Sequence, residues 1–141
     1  MESAIRTVKP FVGENTLFLS VLNGISSEGM IEEAYGAPYS LIQKEGEART
    51  MMIEAMREVL RVADTQDIDL TEADIDYWLE LLATLNPEGH TSMCQDVLAG
   101  RPTEVDLFAG TMLKIAKKEG FSLPVNTFLY EKLKELEGAP D

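Results

Sequence analysis

Cysteine, histidine and tryptophan are the scarcest residues in this sequence, with Cys 1, His 1 and Trp 1, at Cys94, His90 and Trp78. A lone cysteine excludes an intramolecular disulfide and points to a reducing compartment, so the cytoplasm is the expected address. The one histidine precedes that cysteine with no second ligand pair at a recognised spacing, so no metal site is expected. His90 reads as a loop residue and Cys94 as a small buried apolar one. Positive charge is scarce too. Against 25 Asp and Glu stand 12 Lys and Arg, a net charge of -13, and that field repels phosphate backbones and anionic headgroups. Neither nucleic acid nor a membrane surface is an expected partner. No run approaches the roughly 20 apolar residues needed to span a bilayer, and the opening residues lack an apolar leader core, so a soluble protein is expected. Phosphate-cradling glycine motifs (G-x-G-x-x-G, P-loop), internal repeats and low-complexity tracts are absent as well.

What is present is enough apolar material for one core: 141 residues, 45% of them hydrophobic. The first 36 residues differ from the rest. An apolar run of strand length at 16–22 is closed by the turn pair Asn23-Gly24, and a short helix carrying Met30, Ile31 and Ala34 then ends at Gly36. This is α/β grammar, with a single strand that needs a larger sheet to satisfy its backbone. From residue 37 on, every periodic segment is helical. The stretch 40–63 places Leu41, Ala48, Met51, Met52, Ala55, Met56, Val59 and Leu60 at helical spacing, broken at Gly46. Thr71, with Asp74 three residues on, caps a helix striped by Ile75, Trp78, Leu79 and Leu82, which ends at Asn86-Pro87. A short helix over 92–99 stops at Gly100. The next opens at Pro102-Thr103-Glu104, buries Val105, Phe108, Met112 and Ile115, and ends at Gly120. The last starts at Pro124 or Asn126 and turns Leu129, Leu133 and Leu136 inward.

The stretch 91–110 is the candidate for chemistry. It sets Ser92 and Asp96 on one face of a short helix, breaks at Gly100-Arg101-Pro102, and restarts with Thr103, Glu104 and Asp106 at the next helix's beginning. Helix N-termini offer unpaired amides and partial positive charge, so Ser92 could help hold a substrate carboxylate. On spacing alone the simpler reading stays open: Ser92 and Thr103 are caps, and Glu104 and Asp106 complement the helix dipole.

The same residues carry a resemblance. Ser92-Met93, Gln95-Asp96, Gly100-Arg101, Thr103-Glu104-Val105-Asp106 and Gly110, then Ala116, Gly120, Pro124 and Asn126, resemble the ketopantoate reductase signature S-M-x-Q-D, G-R-x-T-E-[IV]-D, G and G-x-x-x-P-x-N. Upstream, Leu22-Asn23-Gly24-Ile25 with Glu28 resembles, over a shorter stretch, the strand and turn that end that family's dinucleotide-binding domain. The resemblance runs over about 37–136. It implies a mainly α fold, a helical bundle of the ketopantoate reductase C-terminal type with a short β-α N-terminal segment. Residues 1–36 would then belong to the end of a Rossmann-type domain, and 37–141 to the helical substrate-binding and dimerisation domain.

Function follows by the same resemblance: an oxidoreductase that uses NADPH to reduce 2-dehydropantoate to pantoate, a step toward pantothenate. Glu104 is implied as the catalytic residue near the substrate hydroxyl or its proton relay. Ser92 is implied to bind substrate, Asn23 to lie near both nicotinamide and substrate, and Asp96 to be structural. A homodimer is an expected assembly. The family's glycine-rich loop and its catalytic lysine have no counterpart here, so no general acid is carried over and the chain alone is expected to be inactive. It is either part of a more complete enzyme or a remnant with an internal deletion. The rival reading is a non-catalytic helical interaction or dimerisation module that offers a Met51, Met52 and Met56 face to a partner.

Overall fold

The computed structural model describes residues 38–137, apart from the side chains of Ser92, Met93 and Val97. The expected strand at 16–22, the short helix after it and the domain division at 36/37 lie outside the described residues. Within them every regular element is a helix: α1 (Ser40–Gln43), α2 (Glu47–Thr65), α3 (Glu72–Ala83), α4 (Ser92–Leu98), α5 (Val105–Glu119) and α6 (Pro124–Glu137). The mainly α architecture is as the sequence implied.

Helix α2 is the axis of the bundle and packs against α1, α3, α5 and α6. Its inward positions, Ala48, Met52, Ala55, Met56, Val59, Val62 and Ala63, recur every three or four residues and are all buried. Around its N-terminal half they join Ile42, Ile75, Leu82, Val105, Ala109, Leu129 and Leu133; toward its C-terminus Val59 and Val62 meet Met112, Ala116 and Leu123. Taking a methionine or leucine side chain out of water in such a core contributes about 2 kcal/mol. Met52 and Met56 are fully buried, so the methionine stripe that the interaction-module reading assigned to a partner is the protein's own core. Their sulfur-bearing chains bend into gaps that branched residues would leave.

Several expected inward positions turn out otherwise. Leu41 is 36% exposed and Ile42 takes its place in the core, because a four-residue helix tethered at both ends sets its own phase. Leu136 is 38% exposed, on the last turn of α6. Met51, Leu60, Trp78 and Phe108 line the main cluster half-buried, and Ile115 does the same in the second.

The helix ends are tied by specific groups. The Asp74 carboxylate reaches back to the Thr71 amide (2.8 Å) and hydroxyl (3.0 Å), which is the expected start of α3. At its other end the Gln43 amide donates to the carbonyls of Leu82 and Leu85 (2.9 and 3.0 Å), while Tyr39 and Ser40 amides donate to Gly89 and Pro87. These bonds fasten α1 across the end of α3. Helices α4 and α5 are followed by Gly100 and Gly120 at φ +64 and +82, left-handed geometry in which a side chain would be strained.

One buried polar device was not expected. The Glu58 carboxylate, from the middle of α2, accepts from the amides of Val125 (2.9 Å) and Asn126 (2.9 Å) and from the Asn126 side-chain amide (2.7 Å). Asn126 also donates to the Ala55 carbonyl (3.1 Å). A helix N-terminus with unpaired amides is thus capped by an acid from another helix, which fixes the start of α6 against α2.

Candidate functional site at the break between α4 and α5

The break at 99–104 is shaped by its own backbone. The turn after α4 is closed by the Arg101 amide, which bonds the Asp96 carbonyl (2.8 Å), and by the Arg101 guanidinium, which grips the Asp96 carboxylate through Nε (2.8 Å) and a terminal nitrogen (2.6 Å). Both nitrogens share one carboxylate oxygen, Oδ1, in a charge-assisted contact at the surface. Asp96 therefore closes the loop, in agreement with the structural role the resemblance implied for it.

Ser92 opens α4, and its side chain lies outside the described atoms. The cap of α4 is the preceding residue: the Thr91 hydroxyl accepts from the Cys94 amide at 3.2 Å. This corrects the reading of Ser92 as the cap, and the reason is one of register, since two adjacent hydroxyl residues compete for one position. Cys94 is buried, with its sulfur 3.5 Å from Nδ1 of His90, and Gln95 ties back to the His90 carbonyl (3.1 Å). Asn23 lies outside the described residues. The three residues assigned to substrate and cofactor are therefore not brought together by described contacts.

Glu104 is the N-cap of α5, where its carbonyl accepts from the amides of Leu107 (3.0 Å) and Phe108 (3.1 Å). Its side chain makes no capping bond and is exposed. The residues on either side are bonded. Thr103 donates through its amide (2.9 Å) and hydroxyl (2.6 Å) to one oxygen of Glu137, while the same hydroxyl accepts from the Val105 amide (3.3 Å). So the expected cap at Thr103 is half right: it serves the first amide of α5, but Glu104 holds the cap position. Asp106 accepts from the Tyr130 hydroxyl (2.6 Å) on one oxygen and from Lys134 (3.2 Å) on the other, and Lys134 also pairs with Glu137 (2.7 Å).

The charges of this network support one another. The hydrogen bonds from Tyr130 and then Lys134 hold the Asp106 carboxyl below its usual range, and the Asp106 bond pushes the Tyr130 hydroxyl up. Lys134 is raised by Glu137 first and Asp106 second. For Glu137 partial burial works against ionisation, yet the bonds from Lys134 and Thr103 outweigh it and its carboxyl ends up lowered. Two leucines near the break, Leu98 and Leu107, are 67% and 63% exposed and add apolar surface beside this polar cluster.

Periodicity within one helix could not reveal Glu58 or Tyr130 as partners of distant helix starts. The motif includes Asp106 and Asn126 but names no partner for either.

A family profile described as "Ketopantoate reductase PanE/ApbA C terminal" matches residues 26–137. The chain belongs to this family. Among similar curated proteins, the 2-dehydropantoate 2-reductase of Salmonella typhimurium is 35% identical over 80 residues, covering 57% of this chain and 26% of that protein. The enzyme of that name from Pyrobaculum aerophilum is 29% identical over 101 residues, 72% of this chain and 36% of its own length. The chain thus spans about a third or less of the curated relatives named here.

Solved structures show the same fold at low identity. The PanE/ApbA family ketopantoate reductase from Ralstonia eutropha aligns at TM-score 0.71 and 20% identity, covering 80% of this chain and 38% of that one. D-mandelate dehydrogenase in a ternary structure with NADH and anilino(oxo)acetate aligns at 0.73 and 23%, covering 79% and 47%. A dimeric ketopantoate reductase from Staphylococcus aureus aligns at 0.68 and 19%, covering 86% and 45%.

At three of the described helix starts, carboxylates stand where a pyrophosphate would need free amides. Pyrophosphate sites use free amides at a helix N-terminus behind a glycine-rich loop. Here the start of α3 is taken by Asp74, that of α6 by Glu58, and α5 begins with Glu104 and Asp106. Among the described residues no helix is long and apolar enough to cross a membrane, and no group of three or more His, Cys, Asp and Glu is placed to hold a metal.

Proposed function

We propose that this chain forms the substrate-side helical wall of a ketopantoate reductase-type oxidoreductase, with a small 2-oxoacid, 2-dehydropantoate first, as its substrate. The observation that carries the reading is Glu104. At the motif position the resemblance marks as catalytic, its carboxylate is exposed and makes no capping bond, while Thr103 and Asp106 beside it are bonded to α6. A carboxylate accepts hydrogen bonds, so Glu104 suits the free hydroxyl of 2-dehydropantoate and the alcohol that forms on reduction, where it would orient or relay a proton. Exposed Leu98 and Leu107 suit the branched alkyl body. Ser92 at the start of α4 would hydrogen-bond the substrate, and Asn23 would lie near both substrate and nicotinamide.

NADPH, when bound to the complete enzyme, supplies the hydride. The chain alone is proposed to be inactive. Cytoplasmic address and a homodimer belong to the same reading; the dimeric relative supports the second, and sedimentation of the purified chain tests it.

The test is a titration of the full chain. With 2-dehydropantoate, amide signals of residues 99–108 should shift in a saturable way, and with pyruvate more weakly. An NADPH fluorescence titration should show no saturation. Saturable shifts centred elsewhere, or none, would remove the reductase reading and leave a helical interaction module. That module would need a face other than the buried methionines.

A further inference from the structure

We infer that α6 sets the position of Glu104, with Thr103, Tyr130 and Glu137 as positioning residues for the substrate contact; the inference rests on the reading of Glu104 given above. Glu104 has a bonded neighbour on each side. Before it, Thr103 gives two hydrogen bonds to a single oxygen of Glu137, at 2.9 and 2.6 Å. After it, Asp106 is held by Tyr130 at 2.6 Å and Lys134 at 3.2 Å. All three holders lie on α6, on successive turns, and Lys134 links the two halves through its 2.7 Å bond to the second oxygen of Glu137.

The arrangement has direction. Because the Thr103 hydroxyl accepts from the Val105 amide at 3.3 Å, its proton points at Glu137, and the backbone around Glu104 is fixed from 103 to 105. The Tyr130 ring lies against α5, 3.6 Å from where a Cβ on Gly110 would stand, while its hydroxyl reaches Asp106. Exposed ion pairs hold little by themselves. The Thr103–Glu137 contact is the better shielded half, with the Glu137 side chain 16% exposed. The other end of α6 is anchored in the core by Glu58, so the holders stand on a helix that is itself fixed.

The experiment compares Thr103→Val, Thr103→Ser and Tyr130→Phe in the full chain, by amide hydrogen exchange and by NMR titration with 2-dehydropantoate. Thr103→Val and Tyr130→Phe should each speed exchange at Val105, Leu107 and Phe108 by roughly threefold to fivefold, with the amides of α2 unchanged and Thr103→Ser close to the parent. Each should also weaken 2-dehydropantoate binding about fivefold, and this loss should vanish in a Glu104→Gln background. Unchanged exchange at these amides, exchange rising equally in α2, or a binding loss that persists undiminished without Glu104 would overturn the inference. If the unaltered chain does not bind 2-dehydropantoate, the reductase reading fails on its own, and the exchange data alone decide whether α6 holds the Glu104 segment.

Discussion

Glu58 and Glu104 are the same residue type near the start of a helix, and they are used in opposite ways. Glu58 comes from the middle of α2, is buried, and spends both oxygens on three donors at the start of α6. Glu104 stands at the start of its own helix, and its exposed carboxylate caps nothing. Water explains the difference. A carboxylate taken out of solvent must be hydrogen-bonded on both oxygens to be tolerated, whereas an exposed one can stay uncommitted until a ligand arrives. The first builds the protein, and the second is left exposed to solvent.

The comparison breaks if Glu58 can be lost cheaply. Glu58→Ala leaves the amides of Val125 and Asn126 and one N–H of the Asn126 side chain without an acceptor, while the other keeps the Ala55 carbonyl, and should cost about 3 kcal/mol in a urea titration. A loss under about 1 kcal/mol would mean that solvent reaches the start of α6. At a helix start in water the same chemistry should matter less. Asp74→Ala removes the reach-back to Thr71 and should cost about 1 kcal/mol in the same titration.

Next in size comes a pH effect on the network beside Glu104. The folded carboxyls of Asp106 and Glu137 are lowered, so their contribution is present above the ordinary carboxylate range of about 4 and is lost as pH falls through the lower folded values. Tyr130 and Lys134 are raised, so theirs is complete below about 10 and fades only as pH climbs through the higher folded values. The exchange difference at Leu107 between the parent chain and Tyr130→Phe should therefore be constant from about pH 5 to 8 and shrink below about pH 4. A difference that grows in acid would contradict the charge assignment. The smallest effect is expected at the other pole: Glu104→Gln should leave stability within about 0.5 kcal/mol, because nothing in the cap depends on its side chain.

The same contrast explains what could be read from the sequence. Helix extents, the breaks at Gly100 and Gly120 and the Thr71–Asp74 start depend on neighbours within a few residues, and these were legible. The mainly α class followed from them. Where two adjacent residues could do one job the choice was lost: Thr91 caps instead of Ser92, and Ile42 is buried instead of Leu41. Nothing in the periodicity of α2 marks Glu58, since its partners lie 67 and 68 residues further along the chain. At the candidate site, the motif pointed to Glu104 and Asp96. It said nothing of Glu137 and Tyr130, which reach Thr103 and Asp106 only once α5 and α6 pack together.

The central claim is that Glu104 is uncommitted to the fold because it belongs to the substrate. A direct test is the 2-dehydropantoate Kd of the full chain and of Glu104→Gln, measured by NMR titration alongside their melting temperatures. The account predicts equal melting and binding weakened by about tenfold or more. Equal binding, or a fall in melting temperature to match the loss of binding, would contradict it.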